Sequence, residues 1–243
     1  MARKMTSNFN KQVRSVLMAE TETKYITKKW ADLPITVGAM THNTLRFAYL
    51  WKQGAEGDMT IWPNRGGGYD TQTNIDGREF YAKGLKVQLQ FTIPYDRLDT
   101  TVKVWYLPMQ TGVPDPASNT FFRDTLGNVM IDPRNMANYK ARYLGSVRPR
   151  PRQFPFGETV AGEGEEGGRA YSTIRSYYIP FNRTLRYRSN IGSDEQMDNG
   201  EITNLSEKGL IVFTAYNQEN AVSGEDTVLS NIEGVVTTVF KDP

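Results

Sequence analysis

Hydrophobic and polar positions alternate along much of this chain, and the alternation predicts β-strands. The clearest run is Lys83–Ile93. Leu85, Val87, Leu89, Phe91 and Ile93 fall on one side, and Lys86, Gln88, Gln90 and Thr92 on the other. A period of two sends alternate side chains to opposite faces of a sheet, so this strand has one buried face. Asn43–Trp51 follows the same rule, with Leu45, Phe47, Tyr49 and Trp51 against Arg46 and Ala48. Further runs at Thr101–Leu107, Thr120–Ile131, Tyr139–Val147, Tyr171–Ile179 (resuming over Thr184–Ser189), Leu210–Tyr216 and Val235–Phe240 bring the total to about eight. Leu210–Tyr216 is almost wholly apolar, which predicts a central strand. Gly, Pro, Asn and Asp punctuate the runs, and most connections are too long for two-residue hairpins. No long amphipathic helix is written into the pattern. The expected fold is all-β: a single eight-stranded jelly-roll sandwich with Greek-key connections. An immunoglobulin-like sandwich and a closed barrel are the alternatives.

Residues 1–29 lie outside this pattern. Arg3, Lys4, Lys11, Arg14, Lys24, Lys28 and Lys29 are opposed there only by Glu20 and Glu22. They are expected to form a basic N-terminal arm, partly disordered, ahead of a jelly-roll domain over residues 30–243. With 243 residues, one large sandwich is the expected organisation. Net charge is only +2, so the positive charge is local and the body tolerates self-association. Aromatic residues make up 12% of the chain, which suits strands and protein contacts. There is no Cys, hence no disulfide framework or thiolate chemistry. No apolar run reaches the roughly 20 residues of a membrane helix, and the N-terminus lacks a signal peptide's apolar core. No membrane association is expected.

Catalytic motifs are missing. The lone His42 cannot supply the clustered ligands of a cupin-type metal site. No Gly-x-Ser-x-Gly elbow accompanies it. The acidic stretch Asp194–Glu201 does not follow the calcium-loop spacing and reads as solvated loop. Arg65-Gly66-Gly67-Gly68 lacks the Lys-Ser/Thr ending of a phosphate loop. No enzymatic activity, cofactor or metal is expected. The basic residues carry more information. Arg148-Pro149-Arg150-Pro151-Arg152 presents three cations on an extended segment, and Arg183, Arg186 and Arg188 follow on and after the sixth strand. With the arm, these cations suit phosphate neutralisation. Trp30, beside Lys28 and Lys29, has the chemistry to stack on an unpaired base or to anchor the arm.

Several stretches together resemble the capsid proteins of circular, Rep-encoding single-stranded DNA viruses, the circoviruses and their relatives. They are Glu22–Ile26, Asp76–Val87, Tyr177–Asn182 with Leu185–Tyr187, and the ending Leu210–Tyr216 through Thr238–Pro243. The resemblance implies one jelly roll, a small icosahedral (T=1) shell built from many copies of this chain, and packaged circular single-stranded DNA. It also implies a virion location, with assembly inside a host cell and the nucleus as a candidate compartment. The host-cell receptor is not indicated. The arm is shorter and poorer in Arg than those of the family. Plant satellite virus coat proteins, which enclose RNA, also carry short basic arms, so RNA stays open beside DNA. A lectin-like binding module, with Trp62 and Tyr69 holding a ligand, is the rival reading.

Overall fold

The computed structural model describes residues 21–29, 38–53, 61–65, 74–75, 77–94, 97, 99–110, 112–123, 127–148, 170–188, 202–219 and 228–242. In chain order they form β1 (Thr23–Lys29), β2 (Gly38–Thr41), β3 (Thr44–Lys52), β4 (Asn64–Arg65), β5 (Asn74–Ile75), β6 (Glu79–Pro94), β7 (Thr100–Met109), the short helix α1 (Ser118–Phe121), β8 (Arg142–Val147), β9 (Ala170–Arg186), β10 (Lys208–Asn217) and β11 (Val228–Lys241). Two antiparallel sheets carry nearly all of this. Sheet one has the order β1-β11-β6-β9, with β2 also on β11; sheet two has the order β3-β10-β7-β8. The protein is a β-sandwich. β1 pairs with β11, β3 with β10, β6 with β9 and β7 with β8, as if one long antiparallel ribbon had been folded over and wrapped.

The core between the sheets follows the period of two. Leu85, Val87, Leu89 and Phe91 of β6 meet Val102 and Val104 of β7 and Ile211, Phe213 and Ala215 of β10, all fully buried. One end is closed by rings: Trp51, Trp62, Phe80, Phe181, Tyr187 and Phe240 contact one another at centroid spacings of 5.5–6.1 Å. Each such ring buried contributes about 1.5–3 kcal/mol of transfer free energy. A register shift at Gly209/Leu210 turns Trp51 into this cluster, away from the side taken by Tyr49. A Cβ on Gly209 would overlap the Trp51 ring, so the close approach requires glycine there.

Sheet two is covered on its other face as well. Residues 112–141, between β7 and β8, lay Phe121, Phe122, Val129, Tyr139 and Ala141 over Tyr49, Trp105, Leu107, Met109, Leu210 and Val212. This second core explains why β10 is buried along nearly its whole length. The cover is pinned. Asn43, in a left-handed turn at φ 55, donates to Gly127 O (2.9 Å) and accepts from Val129 N (2.9 Å). Asp115 accepts from the Tyr49 hydroxyl and from Lys208 Nζ at 3.0 Å. Burial and the Asp115 carboxylate both hold the Tyr49 phenol well above its ordinary range.

Four expectations change. Thr23–Lys29 is not arm but an edge strand, completing a β11 ladder whose donors would otherwise go unpaired. Among the described residues, Thr120–Ile131 holds no strand: its apolar residues there belong to α1 and to turns of the cover. The fifth run begins as a strand only at Arg142, because Tyr139 and Ala141 pack in the cover. The sixth run continues without a break to Arg186. Pro180 is tolerated because β9 is the outermost strand of its sheet, and the bulge is absorbed by a register shift at Ala82/Gly84 and by Asn182 at φ 48.

Candidate nucleic-acid interface

The structure separates the expected cations. Arg3, Lys4, Lys11, Arg14, Trp30, Arg150 and Arg152 lie outside the described residues, as does Asp194–Glu201. Lys24 is engaged by Asp242 at 3.2 Å. Lys28 is half-buried on β1, and Lys29 is exposed beside it. Arg186 donates through Nε to Glu79 Oε1 at 2.7 Å, which neutralises it. It borders a cleft lined also by Thr184, Thr203 and Asn204, where Asn204 donates to Thr184 O at 2.7 Å. Arg188 is exposed just past β9, and Arg148 is exposed where β8 ends. Arg186 opposes Glu79 and Arg183 opposes the buried Ala82, so register puts these two on opposite faces of β9.

Strand pairing assembles a different group. In an antiparallel ladder, directly opposed residues share a face. Arg175 opposes Leu89, Arg183 opposes Ala82, and Arg142 opposes Tyr106. Leu89 and Ala82 are fully buried between the sheets, and Tyr106 packs against the same core. All three arginines therefore start from inward-facing positions, yet all three are exposed. The reason is topological. β8 is the last strand of sheet two and β9 the last of sheet one, so their inward side chains emerge at the edge of the sandwich, the mouth between the sheets. Across that mouth a Cβ on Gly145 of β8 would stand 3.3 Å from the Tyr177 ring of β9.

Among the described residues, the mouth has one sign of charge. β8 and β9 contain no Asp or Glu. Among the described residues no carboxylate pairs with Arg142, Arg175 or Arg183; Arg183 rests over the Phe181 ring at 5.7 Å. Burial raises the Tyr106 phenol, while Arg183 and Arg142 pull it back down. Burial pushes Tyr177 up to about 12, against the downward pull of Arg175 and with an upward push from Tyr143. Tyr143, 47% exposed, opposes Trp105 and so stands on the other, covered side of sheet two, 4.7 Å from that ring. Arginines with half-buried tyrosines can hold phosphates and stack unpaired bases.

Sequence reading missed Arg142 and Arg175. Arg142 is the one cation of β8 and Arg175 stands eight residues ahead of the next cation of β9, and only the fold brings the two strands side by side. The inward register of Arg175, a charge among apolar positions, was the available signal. The ring proposed for ligand capture, Trp62, is 1% exposed and contributes to the core; Tyr69 lies outside the described residues. His42 accepts from Asn217 N at 3.2 Å and stacks on Tyr216 at 4.8 Å.

No family model matches this chain, and no curated protein matches it. Among solved structures it is similar to VP1 of Trichodysplasia spinulosa-associated polyomavirus, with 7% identity, 90% of this chain and 76% of that chain covered, and a TM-score of 0.14. The same protein in complex with sialylated precision glycooligomers gives 7% identity, 91% and 79% coverage, and a TM-score of 0.14. Likenesses at this level carry no argument.

Proposed function

We propose that this protein is a non-enzymatic capsid protein. In this reading it self-assembles into a small icosahedral shell and packages single-stranded nucleic acid, circular DNA in first place, through contacts that ignore sequence. The observation that carries the reading is strand order. Counting only the eight long strands in sequence, sheet one runs first-eighth-third-sixth and sheet two second-seventh-fourth-fifth. Nested pairs of that kind are what a ribbon wrapped into two Greek keys produces, so the sandwich is read as a jelly roll. Jelly rolls also serve as lectins and cupins. The buried Trp62 and the engaged His42 favour neither. Closed symmetric assembly reuses one chain many times, and a near-neutral body with long connections provides several contact surfaces.

Purified protein should give uniform spherical particles by negative-stain microscopy and elute in the void volume on size exclusion. Nucleic acid extracted from them should be destroyed by DNase and spared by RNase. A monomer peak at every salt and pH, with no particles, would contradict the reading. RNase-sensitive content would keep the shell and replace DNA by RNA.

A further inference from the structure

We infer that the mouth between β8 and β9 is a binding track for single-stranded nucleic acid, in which Arg142, Arg175 and Arg183 hold backbone phosphates and Tyr177 meets the bases. The inference rests on the packaging reading for its partner but on the fold for its location. Three observations support it. The arginines emerge from inward registers at a sandwich edge, and no carboxylate among the described residues neutralises them. The two strands that bear them contain no acidic residue. At ~3.3 Å per residue, Arg175 and Arg183 stand about 25 Å apart along β9. That length exceeds a single ion pair and suits a strand of several nucleotides, within the roughly 4–16 nucleotides of known single-strand sites. At the other end of β8, Arg148 extends the same run of charge.

Single-stranded nucleic acid fits better than an acidic protein segment. A phosphodiester chain offers regularly spaced anions with flat bases between them, and the mouth offers spaced guanidinium groups with a phenol ring between them. Recognition by such groups carries no base-edge readout, so the track binds any sequence.

The test uses the full chain, kept as dissociated subunits in moderate salt, and fluorescent oligo(dT) as probe. Replacing Arg142, Arg175 and Arg183 together by Gln should weaken binding at least tenfold near 0.1 M salt. The slope of log affinity against log salt should flatten by about 2, since each phosphate lost on a single strand removes about 0.7. The Arg→Lys triple variant should keep most of the slope, and scrambled sequences should behave like oligo(dT). Circular dichroism reports whether the variants fold; should the triple Gln variant unfold, the three single variants should each flatten the slope by about 0.7. Unchanged affinity and slope in folded variants overturns the inference. So does loss of particle assembly with oligonucleotide binding intact, which would make the mouth a contact between copies. Arginine-dependent binding by a wild-type protein that never forms particles would instead reject the capsid reading and keep the track.

Discussion

Arg134 and Arg142 stand close together in sequence on the two sides of sheet two, and the chain treats them in opposite ways. Arg134 is part of the cover. It donates to Ala141 O at 2.6 Å and lies over the Trp105 ring at 4.5 Å, so its charge and its stem are both used in packing. Arg142 reaches the mouth between β8 and β9, where no described carboxylate meets it. The regions around them differ likewise. On the covered face, residues 112–141 bury an apolar surface that alternation alone would have left in water. At the mouth the two edge strands keep arginines exposed beside half-buried tyrosines. Apolar surface left by strand alternation is closed over by a long connection, whereas among the described residues none covers the charged opening. That contrast is why the mouth reads as a surface with a partner.

The largest effect expected from the contrast is in stability. Phe121→Ala in the cover should cost about 3–5 kcal/mol, because it leaves a cavity against Trp105, Phe122 and Tyr139. Arg142→Gln at the mouth should stay within about 0.5 kcal/mol. Urea denaturation of both variants checks this, and equal losses would erase the distinction between the two regions.

A middle-sized effect comes from the pin under the cover. Asp115→Asn removes the anion between Tyr49 and Lys208 and should cost about 1–2 kcal/mol, discounted because Asp115 is partly exposed. Faster hydrogen exchange should appear in residues 112–123 before it appears in β6. Uniform loosening of both would mean that the cover is not a separate layer.

How much of this was legible in the chain follows the same division. The alternation of β6 reads directly because one face meets the core and the other meets solvent. β10 reads as central because both of its faces are covered. β1 was hidden: its inward positions are Lys24, Ile26 and Lys28, only one of them apolar, so lysines masked the period. The cover was misread as a strand because its apolar residues answer to a surface made by β3, β7 and β10, which local sequence does not display. The mouth was illegible for a related reason. Arg142 and Arg175 are unremarkable singly, Arg183 reads only as a neighbour of Arg186 and Arg188, and the ribbon-like pairing of distant strands brings Arg142 and Arg183 beside Tyr106. The proline-spaced run from Arg148 was visible, because its cations are contiguous in sequence.

The smallest effect concerns pH. Tyr177 is pushed up to about 12 by burial at the mouth, from an ordinary value near 10. Between those values the unfolded chain has lost a proton that the folded chain retains, so stability is whole below about pH 10 and declines as pH rises toward 12. Tyr177→Phe should remove this part of the alkaline loss in urea titrations at successive pH values. An unaltered profile would mean that the ring is not held in the desolvated mouth.

The central claim, that nucleic acid meets the protein at the β8–β9 mouth, is tested most directly by photo-cross-linking. Single-stranded oligonucleotide carrying 4-thiothymidine would be irradiated with the full-length protein, and the adducts mapped by mass spectrometry after digestion. The account predicts adducts on peptides of Arg142–Val147 and Ala170–Arg186, with Tyr177 as an attachment point, suppressed by high salt and by replacing the three arginines with Gln. Adducts confined to the opposite edge, on Thr23–Lys29 and Thr44–Lys52, with β8 and β9 unmodified, would contradict it.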